Sequence, residues 1–325
     1  MGKNDMKLII QIPCYNEEES LPVSLGELPR EVEGFDQVEW LIIDDGSRDR
    51  TVEVARSHGV DHVVSLPSNQ GLAKAFMAGI EASLAAGADV IVNTDADNQY
   101  DASGIPELTG PVLSGEADIV VGARPIQDTQ HFSVLKKLLQ RLGSWVVRKA
   151  SGSSVVDAPS GFRSFSRKAA LGLNVFSSYT YTLETIIQAG QKNLSIVSVP
   201  VSTNPDLRES RLLKSMSSYV WRSMTTIVRM FVVYKPFPFF LGAGLILFVI
   251  GFLIGFRFLL FWWSGAGDGH IQSLILAAVL LGIGFQTMLV AFIADLLAVN
   301  RRLLEEIQQR LRRTELEQHT RTESS

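Results

Sequence analysis

From Phe237 to Trp263, and again from Ser273 to Val299, the chain is almost uninterruptedly apolar over lengths that match the ~20 residues a helix needs to cross a bilayer core. Backbone placed in hydrocarbon has to satisfy its own hydrogen bonds, so the two runs are expected as spanning helices. The loop between them, Ser264 to His270, is short and glycine-rich and carries no Lys or Arg, whereas Lys235 precedes the first run and Arg301 and Arg302 follow the second. Positive charge stays on the cytoplasmic side, so both flanks and both termini are expected there, in a multi-pass protein of the cell (inner) membrane. Tyr234, Trp262 and Trp263 fit the interfacial belts. Arg257 and Asp295 sit near span ends, where Arg257 can snorkel. Gly251 and Gly255 form a small-xxx-small pair that packs the spans together or joins subunits into a homo-oligomer.

Nothing at the start of the chain competes with these spans as a targeting signal, because Met1 to Lys7 is polar. The single cysteine, Cys14, cannot close an internal disulfide and reads as a small buried hydrophobe in a reducing compartment. A formal charge of −4 with no basic stripe gives no footprint for nucleic acid.

Before the spans, apolar strands alternate with helical patterns. Lys7 to Pro13, Val38 to Asp44, His62 to Leu66, Asp89 to Thr94 and Ile119 to Gly122 read as strands, and Glu19 to Arg30, Arg50 to His58, Gly71 to Ala85 and Gly104 to Ser114 as helices. Further on, Thr182 to Ala189 is helical and Leu194 to Val201 strand-like. The pattern predicts an α/β fold with a doubly wound, mostly parallel, Rossmann-like sheet, followed by an α-helical membrane domain. The expected division is a catalytic domain over 1–210, a juxtamembrane amphipathic helix over 211–235, two transmembrane helices over 236–299, and a cytoplasmic helix and tail over 300–325, the tail disordered beyond Arg313. Two stretches, Phe132 to Lys149 and Leu212 to Tyr234, place apolar residues at helical spacing against a basic rim and read as interfacial helices.

Chemistry gathers where strands end. Pro13, Cys14, Tyr15, Asn16 and Glu17 follow the first strand, Asp44 to Thr51 the second, and Asn69, Gly71 and Lys74 the third. Asp95, Ala96, Asp97, Asn98 and Gln99 follow the strand that ends near Thr94. Ligands of open α/β sheets bind beyond the carboxyl ends of strands, and two acids with an amide there can hold Mg²⁺ or Mn²⁺, whose remaining ligands are typically phosphate oxygens and water. A sugar nucleotide is the natural companion.

In this order and at these intervals the motifs resemble family 2 glycosyltransferases of the GT-A fold, most closely the polyprenyl-phosphate glycosyltransferases of the dolichol-phosphate mannose synthase type. The resemblance runs from about Ile9 to Met216 and rests on Pro13 to Glu17, Asp44 to Thr51, Asp95 to Gln99, Gly122 to Arg124 and Asp157 to Arg163. It implies that Pro13, Tyr15, Glu17, Asp44, Asp45 and Lys74 hold the nucleotide sugar, that Asp95 orients the donor, and that Asp97 and Gln99 bind the metal. It implies further that Arg124 receives the acceptor phosphate, with Lys137, Arg141, Ser160 and Arg163 as additional contacts. Arg208 and Arg211 stand where the family covers the leaving diphosphate, but the surrounding Arg208-Glu209-Ser210-Arg211 departs from the usual Arg followed by Gly-Glu-Ser-Lys. Asp157 acts as a base if the acceptor is a hydroxyl, and organises Arg163 or the sugar if it is a phosphate.

The expectation is therefore an inverting, metal-dependent transferase moving one sugar from a UDP- or GDP-linked donor to a polyprenyl phosphate at the membrane surface. A hydroxyl acceptor on a glycolipid or polysaccharide is the enzymatic alternative. A non-catalytic nucleotide-sugar sensor or flippase partner is the non-enzymatic one.

Overall fold

The computed structural model describes residues 5–124, 145, 148, 151–152, 155–175, 181–205, 225, 228–229, 232–265 and 271–323. Its strands are β1 (Lys7–Cys14), β2 (Gln37–Asp44), β3 (His62–Ser65), β4 (Val90–Asn93), β5 (Ile119–Ala123), β6 (Arg163–Ser166) and β7 (Ile196–Pro200). Its helices are α1 (Leu21–Glu27), α2 (Thr51–Ser57), α3 (Leu72–Ala85), α4 (Ile105–Leu113), α5 (Arg167–Gly172), α6 (Thr182–Gln191), α7 (Pro236–Trp263) and α8 (Ile271–Glu323). The chain divides into two compact units, Met1–Ser223 with Gln308–Ser325, and Met224–Ile307.

In the first unit the described strands form one seven-stranded sheet in the order β3-β2-β1-β4-β6-β5-β7. β1 lies at its heart, parallel to β2 and to β4. Layers on both faces explain why β1 reads as a continuous apolar run. Leu8, Ile10 and Ile12 pack with Leu21 and Leu25 of α1 and Ile105 and Leu108 of α4. The opposite face takes α3, where Gly79 leaves room for the side chains of Gln11 and Ile43; a Cβ there would lie 2.6 Å from Gln11 Oε1.

One strand escapes the sequence pattern. β6 reads Arg-Ser-Phe-Ser and runs antiparallel to both β4 and β5. It lacks an apolar run because Arg163 and Ser164 are buried as hydrogen-bonded polar groups, Ser164 Oγ donating to the Leu108 carbonyl at 2.5 Å. Its reversal pairs its first residue, Arg163, with Asn93, the last residue of β4. α5 follows directly, capped by Ser166 Oγ, which accepts from Ala169 N at 3.1 Å.

The second unit holds two helices long and apolar enough to cross a membrane, with an 18-residue stretch of mean hydropathy 2.6 within Pro236–Trp263 and one of 2.3 within Ile271–Glu315. They pack through small residues. A Cβ on Gly284 would lie 2.6 Å from Phe248 N, one on Gly244 2.8 Å from the Gly284 carbonyl, and one on Gly251 2.9 Å from Leu281 N. Ala277, Gly284, Ala291 and Ala298 recur every seventh residue along α8, and the three alanines are buried. Gly255 contributes less than its pairing with Gly251 predicts, since its Cβ position is only in ordinary contact, 3.5 Å from Ala277 Cβ.

The expected disordered tail is a correction: α8 continues through Glu323. Leu, Glu, Gln and Arg are strong helix formers, and a polar run of them without Gly or Pro propagates a helix rather than ending it. Beyond Gln308 this segment belongs to the first unit, where Arg312 donates to the Leu173 carbonyl and to Glu81, each at 2.9 Å, and Asn174 donates to Gln308. The interfacial helices expected over Phe132 to Lys149 and Leu212 to Tyr234 lie almost wholly outside the described residues.

Gly284→Leu should force α7 and α8 apart at a cost of roughly 1–3 kcal/mol. Gly282, which has nothing within 4 Å of its Cβ position, should accept the same change freely. Thermal unfolding in detergent checks this, and equal midpoints for the two variants would refute the glycine seam.

Candidate active site

The carboxyl ends of β1, β2, β4 and β5 converge with the start of β6. On the β1–β2 side two turns interlock. Asn16, held at φ 55, donates its backbone N–H to Ser47 Oγ and accepts Arg48 N at Oδ1, and Glu17 N donates to Thr51 Oγ1. Asp44 Oδ1 accepts Ser47 N at 2.9 Å, while Asp45 accepts Gln70 N and Gly71 N, one on each oxygen, at 2.7 and 2.9 Å. Gly46 is at φ +71, and a Cβ on it would lie 2.6 Å from the Ser68 backbone, so only glycine lets these loops meet. Tyr15, Glu17, Asp44, Asp45 and the loop before Lys74 are thus brought into one wall. Asp44 and Asp45 are buried and spend carboxylate oxygens on building it, Pro13 is buried at the end of β1, and Tyr15 stands exposed on the rim. Lys74 Nζ donates to Gln70 Oε1 at 3.2 Å.

The acidic turn after β4 is tight. Asn98 takes φ 56, and Gln99 N donates to Asp97 Oδ1 at 3.2 Å. Burial, and then the charge of Asp97, push the Asp95 carboxyl up to about 7, against the opposing pull of Arg124 and Arg163. No hydrogen-bond donor among the described residues reaches that carboxylate. Such crowding of negative charge is what a divalent cation relieves, so the donor set fits one. Asp97 and the Gln99 amide could hold it. Among the described residues no three His, Cys, Asp or Glu side chains form a metal-binding group; Mg²⁺ and Mn²⁺ can be held by one or two carboxylates, with phosphate and water completing the shell.

Across from the acids stands a cation with a fixed aim. Arg124, just past β5, donates Nε to Asp157 Oδ2 at 2.7 Å and Nη2 to Asp157 Oδ1 at 3.1 Å, and its backbone N also reaches Oδ2 at 3.3 Å. Asp157 is fully buried, whereas the Arg124 side chain keeps 21 % of its surface. Its guanidinium carbon lies 6.0 Å from the centre of the Tyr100 ring.

Two expected acceptor contacts need correction. Arg163 is fully buried and donates to the carbonyls of Ala158, Ser160 and Thr182 and to Thr185 Oγ1, so it presents no surface to a ligand. Burial pulls its pKa down to about 10. Ser160 is likewise without accessible surface. Asp157 therefore organises Arg124, not Arg163. Lys137, Arg141, Arg208 and Arg211 lie outside the described residues.

The sequence reading missed the polar network beneath the acids. Asn93 donates to the Gly161 carbonyl at 2.9 Å and to Tyr181 Oη at 2.8 Å, and accepts Gln11 Nε2 at 2.9 Å. Gly161 N donates to Tyr100 Oη at 3.0 Å, and Tyr181 stacks on Phe76 with centroids 3.9 Å apart. A Cβ at Gly161 would lie 3.0 Å from Asp95 Oδ2 and 3.1 Å from Tyr181 Oη, so this backbone runs directly under the acid. The available signal was an amide inside each of two apolar strands, Gln11 and Asn93, a placement tolerated only with partners.

Comparison with known proteins agrees with this architecture. An undecaprenyl-phosphate mannosyltransferase of Micrococcus luteus is 29% identical over 218 residues, covering 64% of this chain and 88% of the relative. A low-salt glycan biosynthesis hexosyltransferase of Haloferax volcanii is 30% identical over 291 residues, covering 87% of this chain and 67% of the relative. The solved structure of glucosyl-3-phosphoglycerate synthase from Mycobacterium tuberculosis, in complex with Mn²⁺, uridine-diphosphate-glucose and phosphoglyceric acid, shares the fold with TM-score 0.55 at 22% identity, covering 68% of this chain and 79% of that one. The family model of glycosyl transferase family 2 matches residues 9–171, which span the sheet edge from β1 to α5, and the chain is a member of that family.

Proposed function

We propose that the chain transfers a single sugar, with inversion, from a UDP- or GDP-linked donor to the phosphate of a polyprenyl phosphate at the cytoplasmic face of the membrane. The observation that carries this reading is the Arg124–Asp157 pair. Both Asp157 oxygens are engaged by one guanidinium, and the carboxylate is fully buried, so it is poorly suited to take a proton from an acceptor hydroxyl. What the pair offers instead is a partly exposed cation with donors to spare, in the planar geometry that matches phosphate oxygens. The name of the Micrococcus luteus relative, a mannosyltransferase acting on undecaprenyl phosphate, supports the same acceptor class. Two apolar helices suit an enzyme whose acceptor stays in the lipid headgroup layer.

The chemistry then needs little proton transfer. A phosphate monoester has a second pKa of about 6, so at neutral pH the acceptor is already a nucleophile and a base adds little. Arg124 holds the acceptor oxygens beside the acidic turn, and Asp157 keeps the guanidinium from swinging away. The wall containing Tyr15, Glu17, Asp45 and Lys74 receives the nucleotide, and Asp95 orients the sugar. A divalent cation bound by Asp97 and Gln99 would stabilise the charge that develops on the departing diphosphate.

Labelled UDP-glucose, UDP-N-acetylglucosamine and GDP-mannose should be offered in turn to the purified full chain with undecaprenyl phosphate and Mg²⁺ or Mn²⁺. One donor should give a labelled lipid that mild acid cleaves; an acid-stable labelled lipid would favour the hydroxyl-acceptor reading. Chelation with EDTA should abolish transfer, and added Mn²⁺ should restore it. Asp97→Ala should lower transfer by about a hundredfold or more with an unchanged circular dichroism spectrum. Metal-dependent transfer retained at the wild-type rate in that variant would reject the metal assignment.

A further inference from the structure

Arg163 leads the fully buried side chains by size. A guanidinium removed from water must recover its lost hydration from fixed acceptors, so its partners report what it is holding. Among the described residues no carboxylate pairs with it. Nη2 donates to the Ala158 carbonyl at 2.6 Å and Nε to the Ser160 carbonyl at 2.8 Å, while Nη1 donates to the Thr182 carbonyl and to Thr185 Oγ1, both at 2.7 Å. The first two acceptors belong to the loop that begins at Asp157, and the second two to the first turn of α6. One side chain therefore rivets the loop to the helix.

The loop is held elsewhere by other means. Ser160 N donates to the Asp157 carbonyl at 3.2 Å, and Gly161 is fixed from both sides by Asn93 and Tyr100. Residues 157 to 159 take no such support from the network under the acids, and it is there that Arg163 draws the Ala158 carbonyl inward. Asp157, the next residue back, is the one that grips Arg124. We infer that Arg163 is a positioning residue for the transfer step: by tying the carbonyls of Ala158 and Ser160 to α6, it sets the direction in which Asp157 presents Arg124 to the acceptor phosphate, without touching that phosphate. This inference rests on the proposed role of Arg124 as the acceptor-phosphate contact.

The mildest probe is Thr185→Val, which keeps the shape of the side chain and removes one of the four acceptors. Arg163→Lys keeps the charge but replaces the planar fork with a compact ammonium that cannot span the same acceptors. Both are compared with wild type in the full chain, using undecaprenyl phosphate and whichever of UDP-glucose, UDP-N-acetylglucosamine or GDP-mannose supports transfer. Thr185→Val should raise the KM for undecaprenyl phosphate about fivefold while leaving the donor KM and the Mn²⁺ requirement unchanged, and Arg163→Lys should raise it further. In an Arg124→Lys background the effect of Thr185→Val on acceptor KM should largely vanish, because the two residues act on one contact. If Arg163→Lys does not fold, Thr185→Val and its cycle with Arg124→Lys decide the matter. Donor and acceptor KM rising together, no change in either, or full additivity in the cycle would overturn the role of Arg163 while leaving Arg124 in place. A wild-type protein that transfers no sugar to undecaprenyl phosphate would overturn both assignments at once.

Discussion

Most of the site depends on a strand that runs the wrong way. β6 lies between β4 and β5 and antiparallel to each. Had it been parallel, its preceding loop would open at the opposite end of the sheet. Because it is reversed, the stretch from Asp157 to Phe162 arrives at the carboxyl edge, next to the acidic turn of β4 and the Arg124 turn of β5. Gly161 passes beneath Asp95, and Asp157 reaches Arg124. A carboxylate pair and a guanidinium that would otherwise belong to separate loops become parts of one surface.

That surface is electrostatically unbalanced in a useful way. Burial and the charge of Asp97 together push the Asp95 carboxyl up. The nearby cations are both committed, Arg124 to Asp157 and Arg163 to carbonyls. Neither donates a hydrogen bond to the acidic turn, so its carboxylates are left facing the cleft that the proposed cation would occupy. Fixed dipoles and pairs arranged before the ligand arrives are cheaper during reaction than groups that must reorient.

How much of this could be read from the sequence follows from which residues bury themselves in the expected way. β1, β2 and β4 are apolar runs because helices cover both sheet faces, and their positions and the turns after them were legible to within a residue or two. The acids at 95 and 97 were legible as chemistry at a strand end, and the arginine at 124 through the family resemblance. β6 was not, because Arg163 and Ser164 are polar residues made compatible with burial only by partners distant in sequence, such as Leu108 and Thr182. For the same reason Arg163 read as a ligand contact: a charged residue in a motif looks functional until its donors are counted. The network through Gln11, Asn93 and Tyr181 joins residues far apart along the chain, and no local period announces it. The tail beyond Arg313 is polar yet helical, because its helix-forming residues, free of Gly and Pro, outweigh its scarcity of apolar side chains.

The final turns of α8 carry an implication for biosynthesis. Arg312 contacts Glu81 and Leu173, yet it lies beyond α7 and beyond the apolar stretch of α8 in the chain. Those contacts form only after the apolar stretches of α7 and α8 have been synthesised, so the nascent sheet stays one fastening short until residue 312 has left the ribosome. Completion of the first unit thereby comes after synthesis of both apolar stretches, and a nascent chain arrested before Arg312 would lack this latch.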